Sequence, residues 1–167
     1  MPELASGPGD RGYPYESPHI EMEIYRLIAC VSASRSFSEG LSDASDGPRW
    51  MYLKRAEFGE ICRILVSVAA ILRNTLDAGY SGEEATRPVG LIHSDIDNMK
   101  EPETLVFRQA CNKILHAFKV HADVEDPSQG IKSPLTSLIH LYGEQNGKTW
   151  HAIIDIKSFA LTAVYAC

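Results

Sequence analysis

Three polar residues in the middle of the chain have types and spacing that could do chemistry together. Arg108, Asn112 and His116 follow one another at intervals of four residues, so on an α-helix they form one stripe that points away from the apolar side. Arginine can hold a phosphate, and histidine can transfer a proton near neutral pH. The set fits cleavage of an RNA backbone without a metal ion. A solvated helix face or a partner-binding surface would carry the same residues.

The segment that carries this stripe resembles the motif of a known family. Helical bundles of the HEPN class, a bacterial group that includes toxin and defence ribonucleases, have an Arg and a His a few residues apart on one helix. The stretch from Arg108 to His116, RQACNKILH, resembles that motif, with seven residues between the Arg and the His where the family has four to six. The resemblance implies a ribonuclease of toxin or defence type that uses Arg108 and His116.

A second polar cluster is expected on a β-hairpin near the end of the chain. Residues 137–144 and 148–156 alternate with a period of two around Asn146 and Gly147, a pair that favours a type I′ turn because both residues tolerate positive φ. This turn places Tyr142 opposite His151. The polar face should then bring together His140, Tyr142, His151 and Asp155. These groups could ligate a metal or transfer protons, although antiparallel sheets commonly show one polar face to water.

Hydrophobic periodicity predicts three main helices that would position these clusters. The first runs from His19 to about Ser36, the second from near Leu53 to Asp77, and the third from Pro102 to near Ala122, with His121 on its core side. The apolar stripe of the second helix is Phe58, Ile61, Leu65, Val68, Leu72 and Leu76. The apolar stripe of the third is Phe107, Ala110, Cys111, Ile114, Leu115 and Phe118. We expect an α+β fold, a small helical bundle of three main helices with a C-terminal antiparallel β-hairpin.

The remaining segments define the expected domain organisation. Residues 1–17 are rich in Gly and Pro and are expected to form a mobile tail before a single α+β domain at 18–167. Residues at about 80–101 are expected to be a long acidic connection, with His93 in a loop. The net charge of −6 comes from the tail and from residues 81–104. Without a basic stripe, binding to duplex DNA is not expected.

Composition and cysteine spacing exclude several classes of protein. The four Cys residues are tens of residues apart, with no C-x-x-C pair, so we expect reduced thiols, no metal and no cofactor. No apolar run approaches the length of a membrane span. We expect a cytoplasmic interaction protein of bacterial or phage type, which binds a protein partner or a second copy of itself. The alternative is the HEPN-like ribonuclease, for which RNA would be the partner.

Overall fold

The computed structural model describes residues 17–42, 47–78, 82–98 and 101–166. Its helices are α1 (Ser17–Ser42), α2 (Gly47–Asp77), α3 (Phe107–His116) and α4 (Ile156–Ala166), and its strands are β1 (Pro88–His93), β2 (Glu103–Val106), β3 (Lys119–Val124), β4 (Leu135–Gln145) and β5 (Lys148–Asp155). Short 3₁₀ helices lie at Glu83–Thr86 and Pro127–Lys132. The expected tail lies, apart from Ser17, outside the described residues.

The five strands form one antiparallel sheet in the order β2-β1-β5-β4-β3. The predicted hairpin is confirmed as β4 and β5, with Tyr142 opposite His151 and Leu141 opposite Ala152. Asn146 and Gly147 have φ values of 55° and 72°, as a type I′ turn requires. The hairpin is therefore the centre of a larger sheet, because β1 pairs with β5 and β3 pairs with β4.

One face of this sheet packs against the helices, and we call it the core face. Its side chains are buried, and they include Ile139, Leu141, Trp150, Ala152 and Ile154. The second helix also packs as its periodicity predicts, since Ile61, Leu65, Val68, Leu72 and Leu76 are buried. Side chains at the alternate strand positions remain partly or fully exposed. We call that second side the open face.

The expected third helix is wrong at both ends. Residues 103–106 form β2, α3 covers only Phe107–His116, and residues 119–124 form β3. The apolar stripe holds within α3, where Phe107, Ala110, Cys111 and Ile114 are buried, but Phe118 is exposed. The reason is that β3 finds backbone partners along β4, and such pairing outweighs a weak local preference for helix.

The expected long connection at about 80–101 contains regular structure. It includes a 3₁₀ turn at Glu83–Thr86 and the strand β1. A mixed fold of helices and strands is thus confirmed, while the arrangement as a three-helix bundle with a hairpin describes only part of it. The described residues contain four α-helices and one five-stranded sheet, besides the short 3₁₀ helices.

Buried polar contacts fix α1 against α2. Lys54 Nζ donates to Ser38 Oγ at 2.9 Å and to Ser34 Oγ at 3.4 Å, and it forms an ion pair with Glu57. Buried charges are tolerated only when they are paired and hydrogen-bonded. These contacts join the N-terminal part of α2 to α1 through buried side chains.

Candidate functional site

Two of the three residues in the predicted stripe lie in a depression on the helical side of the molecule. It has a volume of about 880 Å³ and is bounded by α3, the C-terminal end of α2 and the tip of the β4–β5 hairpin. Asn112 and His116 line it, together with Lys113 of α3 and Trp150 of β5. We call it the α3 depression. Helix α3 can present these polar groups because its opposite side is buried in the core.

Arg108 is not brought into the α3 depression. Its Nη2 donates to Asp77 Oδ1 at 2.9 Å, at the end of α2, and it does not belong to the lining of the depression. Half of its side chain is exposed. The structure therefore separates Arg108 from the two stripe residues with which the sequence groups it.

A different arginine, Arg73 of α2, lies beside His116. Its Nη1 is 3.4 Å from His116 Nε2, and its Nε is 3.4 Å from Asp77 Oδ2. A guanidinium only donates hydrogen bonds, so His116 Nε2 must be the acceptor and the neutral ring carries its proton on Nδ1. His116 Nε2 can accept a proton from another group only when Arg73 Nη1 moves away from this lone pair. The sequence gives no signal for this pair, because the residues are 43 positions apart.

Lys113 is the second cation of the α3 depression. Its Nζ donates to Gln145 Oε1 at 2.9 Å and lies 4.4 Å from the centroid of the Trp150 ring. Burial lowers the pKa of Lys113, because desolvation disfavours the charged ammonium. The lysine is thus a better proton donor than an exposed one.

Two further α3 residues clarify the chemistry of the depression. Asn112 Oδ1 is shielded from solvent and has no hydrogen-bond partner among the described residues, which is costly for a buried acceptor. Burial raises the pKa of the Cys111 thiol to about 12, so this cysteine is not a thiolate near neutral pH. The titratable residues that do line the depression are His116, Lys113, Lys148, Glu103 and Glu144.

The second predicted cluster is brought together in part, on the open face. The rings of Tyr142 and His151 are stacked with centroids 4.5 Å apart, and His140 Nδ1 lies 2.9 Å from His151 Nε2. Asp155 has another role. Its Oδ1 accepts from the backbone N–H of Lys157 at 3.1 Å and its Oδ2 accepts from Ser158 Oγ at 2.8 Å, so it caps the start of α4.

Two histidines that the sequence places elsewhere extend this cluster. His93 is the last residue of β1 and pairs with His151, with ring centroids 5.7 Å apart. His121 lies on β3 and pairs with His140, with centroids 6.0 Å apart. The expectations of a loop position for His93 and a helix position for His121 are wrong, since both residues are in strands. We call His93, His151, His140 and His121 the histidine row.

Asp123 of β3 completes the surroundings of the histidine row. Its Oδ2 lies 3.1 Å from His140 Nε2, in a direction that does not form a regular hydrogen bond. Lys119 also lies on β3, and its Nζ is 5.4 Å from the centroid of the Tyr142 ring. Among the described residues, no three His, Cys, Asp or Glu side chains are arranged to hold a metal ion.

Comparison with known proteins adds no family to these observations. No protein-family model, curated protein or solved structure matches the chain. In the described ranges, no helix is long and apolar enough to cross a membrane.

Proposed function

We propose that the chain is a ribonuclease of toxin or defence type that cleaves the RNA backbone in the α3 depression without a metal ion. The observation that carries this proposal is the position of His116 beside Arg73, in the depression that Lys113 also lines. A base, an acid and a fixed positive charge are the groups that attack by a 2′-hydroxyl on phosphorus requires.

The proposed reaction gives His116 and Lys113 one proton transfer each. His116 Nε2 takes the proton of a 2′-hydroxyl while the 2′-oxygen forms a bond to phosphorus. The bond from phosphorus to O5′ breaks, and Lys113 gives a proton to O5′. The products are a 2′,3′-cyclic phosphate and a 5′-hydroxyl. Lys113 suits the acid role because burial lowers its pKa.

Arg73 and Asn112 orient the phosphate in this scheme. The guanidinium of Arg73 is already next to the base, so it can contact a non-bridging oxygen and stabilise the charge that develops there. The side chain of Asn112 lies between Arg108 and His116 in the helical stripe and lines the depression. Arg108 is not part of the lining of the depression and contributes to neither contact.

Purified variants test the assignment of roles. In buffer with a chelator, His116→Ala should lower the rate of cleavage of single-stranded RNA by about 10²-fold or more, the usual effect of losing a general base. Arg73→Ala should lower the rate more than Arg108→Ala does. Arg87→Ala is the matched control, because Arg87 stacks on Tyr165 of α4, away from the depression, and it should leave the rate unchanged. Cleavage that persists in His116→Ala contradicts the proposal.

A second candidate function is self-association, for which the outer side of α4 provides support. Leu161, Val164 and Tyr165 are 58%, 47% and 66% exposed, and their spacing places them on one side of the helix. Apolar side chains exposed together commonly mark an interface between protein chains. If this surface joins two copies of the chain, light scattering after gel filtration should give a dimer mass, and Leu161→Glu should give the monomer mass. A monomer for the unaltered chain contradicts this function and leaves the ribonuclease proposal unaffected.

A further inference from the structure

The histidine row crosses the open face from β1 to β3 and is unrelated to the α3 depression. The four imidazoles come from the four adjacent strands β1, β5, β4 and β3. His93 and His151 form one cross-strand pair, and His140 and His121 form another beside it. The side chain of His140 is only 17% exposed, and His93 and His151 are partly buried. His151 contacts both His93 and His140, and burial together with their charges lowers its pKa.

The negative charge of Asp123 favours one direction for the hydrogen bond within the row. Its carboxylate is 3.1 Å from His140 Nε2, which favours the proton on that nitrogen. His140 Nδ1 then carries a lone pair and accepts the hydrogen bond that His151 Nε2 donates across 2.9 Å. His151 Nδ1 is left as the unprotonated nitrogen of the pair. In the neutral state, the nearby carboxylate therefore favours one pair of tautomers for His140 and His151.

Adding protons to this arrangement has a structural cost. A first proton can be shared across the short contact between His140 and His151. A second proton would leave two N–H groups facing each other across 2.9 Å, with His93 stacked on the other side of His151. The contact must then open. The other titratable or charged side chains on this face are Lys119, Asp123, Tyr142, Glu144 and Asp155.

We propose that the histidine row is a proton-sensing site, which takes up protons as the pH falls below neutral, separates His140 from His151 and adds positive charge to the open face. The separation acts directly on the central pair of strands, because His140 lies on β4 and His151 on β5. Leu91 and Ile153 lie on the same face, in line across the sheet with His140 and His121, so charging these imidazoles also alters the surroundings of the two apolar side chains.

The sign of the effect on stability follows from His151. Burial, with the charges of His140 and His93, lowers the pKa of His151 below its ordinary value of 6.5. The unfolded chain therefore binds more protons than the folded chain at pH values between the lowered pKa and 6.5. Stability must fall as the pH drops through this range, and it must be fully present above 6.5.

Urea unfolding of the full chain at pH 7.5, 6.5 and 5.5 tests the proposal, with His151→Gln as the variant. For each unit by which the pKa of His151 is lowered, acidification should reduce the folding equilibrium constant by up to about tenfold. His151→Gln should lose most of this reduction, because glutamine does not titrate. His19→Gln is the control, since His19 is exposed on α1 and should retain the behaviour of the unaltered chain.

Three results would overturn the proposal. The first is a stability of the unaltered chain that does not change between pH 7.5 and 5.5. The second is an equal change in His151→Gln and in the unaltered chain. If His151→Gln is unfolded at pH 7.5, His93→Gln decides instead, because it removes one imidazole beside His151 and should lessen the reduction. An unlessened reduction in His93→Gln would be the third.

Discussion

A single methyl group at Gly143 tests the packing that supports the α3 depression. Gly143 lies on β4 directly opposite Trp150 of β5, and Trp150 is only 2% exposed. A Cβ atom at Gly143 would lie 2.8 Å from Trp150 Cη2 and closer still to two other indole carbons. Carbon atoms in contact lie about 3.5–4.0 Å apart, so the indole ring would have to move in Gly143→Ala.

The magnitude follows from two opposing effects. Overpacking a dense core costs about 1–3 kcal/mol, while replacing Gly by Ala stabilises by about 0.4–1 kcal/mol through the unfolded chain. The Cβ atom would come so close to the indole ring that the overpacking cost should lie in the upper part of its range, at about 2–3 kcal/mol. The net destabilisation should then be about 1–2.6 kcal/mol, which for a chain of this size lowers Tm by about 2–10 °C. Because Lys113 Nζ lies 4.4 Å from the Trp150 ring, the displacement should also weaken the proposed cleavage of RNA.

Thermal and urea unfolding measure this effect, and Gly59→Ala provides a matched control. Gly59 lies on α2, and a Cβ atom there would meet nothing within 4 Å. Alanine is preferred over glycine inside a helix by about 0.5–1 kcal/mol, so Gly59→Ala should raise Tm. A Gly143→Ala protein as stable as the unaltered chain would show that the indole of Trp150 does not pack over Gly143.

Two further predictions concern the core and the hairpin turn. Leu65 is 2% exposed in the centre of α2, so Leu65→Ala should cost about 2–5 kcal/mol in urea unfolding through lost burial and a cavity, and an unchanged midpoint would contradict the packing of α2. Gly147 has a φ of 72°, so Gly147→Val should destabilise the fold by about 1–3 kcal/mol and disturb the pairing of Leu141 with Ala152. Nuclear Overhauser contacts between these two residues measure that pairing, and their retention at full stability would argue against a type I′ turn.

Elements with local signals were predictable from the sequence. The apolar stripe of α2 recurs at helical spacing, and its predicted end at Asp77 is confirmed. Asn146 and Gly147 specify their turn by backbone conformation alone, and this turn fixes the register from Tyr142 to His151. Such signals depend on a few neighbouring residues, so they survive without knowledge of the rest of the fold.

Elements stabilised by distant partners were not predictable in the same way. Strand β1 pairs with β5, from which it is separated by more than fifty residues, and its six residues contain a glycine. Strand β3 follows α3 after two residues. The helical spacing of apolar residues continues through Leu115 and Phe118, so the sequence predicts a longer helix there. In both cases the backbone partner decides the structure, and the sequence of the strand itself is ambiguous.

In the candidate sites, too, some contacts follow from local signals and others depend on distant parts of the chain. The pairing of Tyr142 with His151 follows from the turn, and the structure has it. The contact of Arg73 with His116 joins two helices that only tertiary packing brings together. His93 and His121 join the histidine row only because β1 and β3 are strands of the sheet, so the sequence alone does not predict the complete row.

The most direct test of the central claim uses a DNA oligonucleotide that contains one ribonucleotide, with an all-DNA strand of the same sequence beside it. Incubation with the protein in the presence of a chelator, followed by mass spectrometry, identifies the ends that are formed. Attack by the 2′-hydroxyl predicts cleavage only after the ribonucleotide, with a 2′,3′-cyclic phosphate and a 5′-hydroxyl as products, and loss of both in His116→Ala. Cleavage of the all-DNA strand, products with a 5′-phosphate, or no cleavage of either strand would contradict the assignment of the α3 depression as a ribonuclease site.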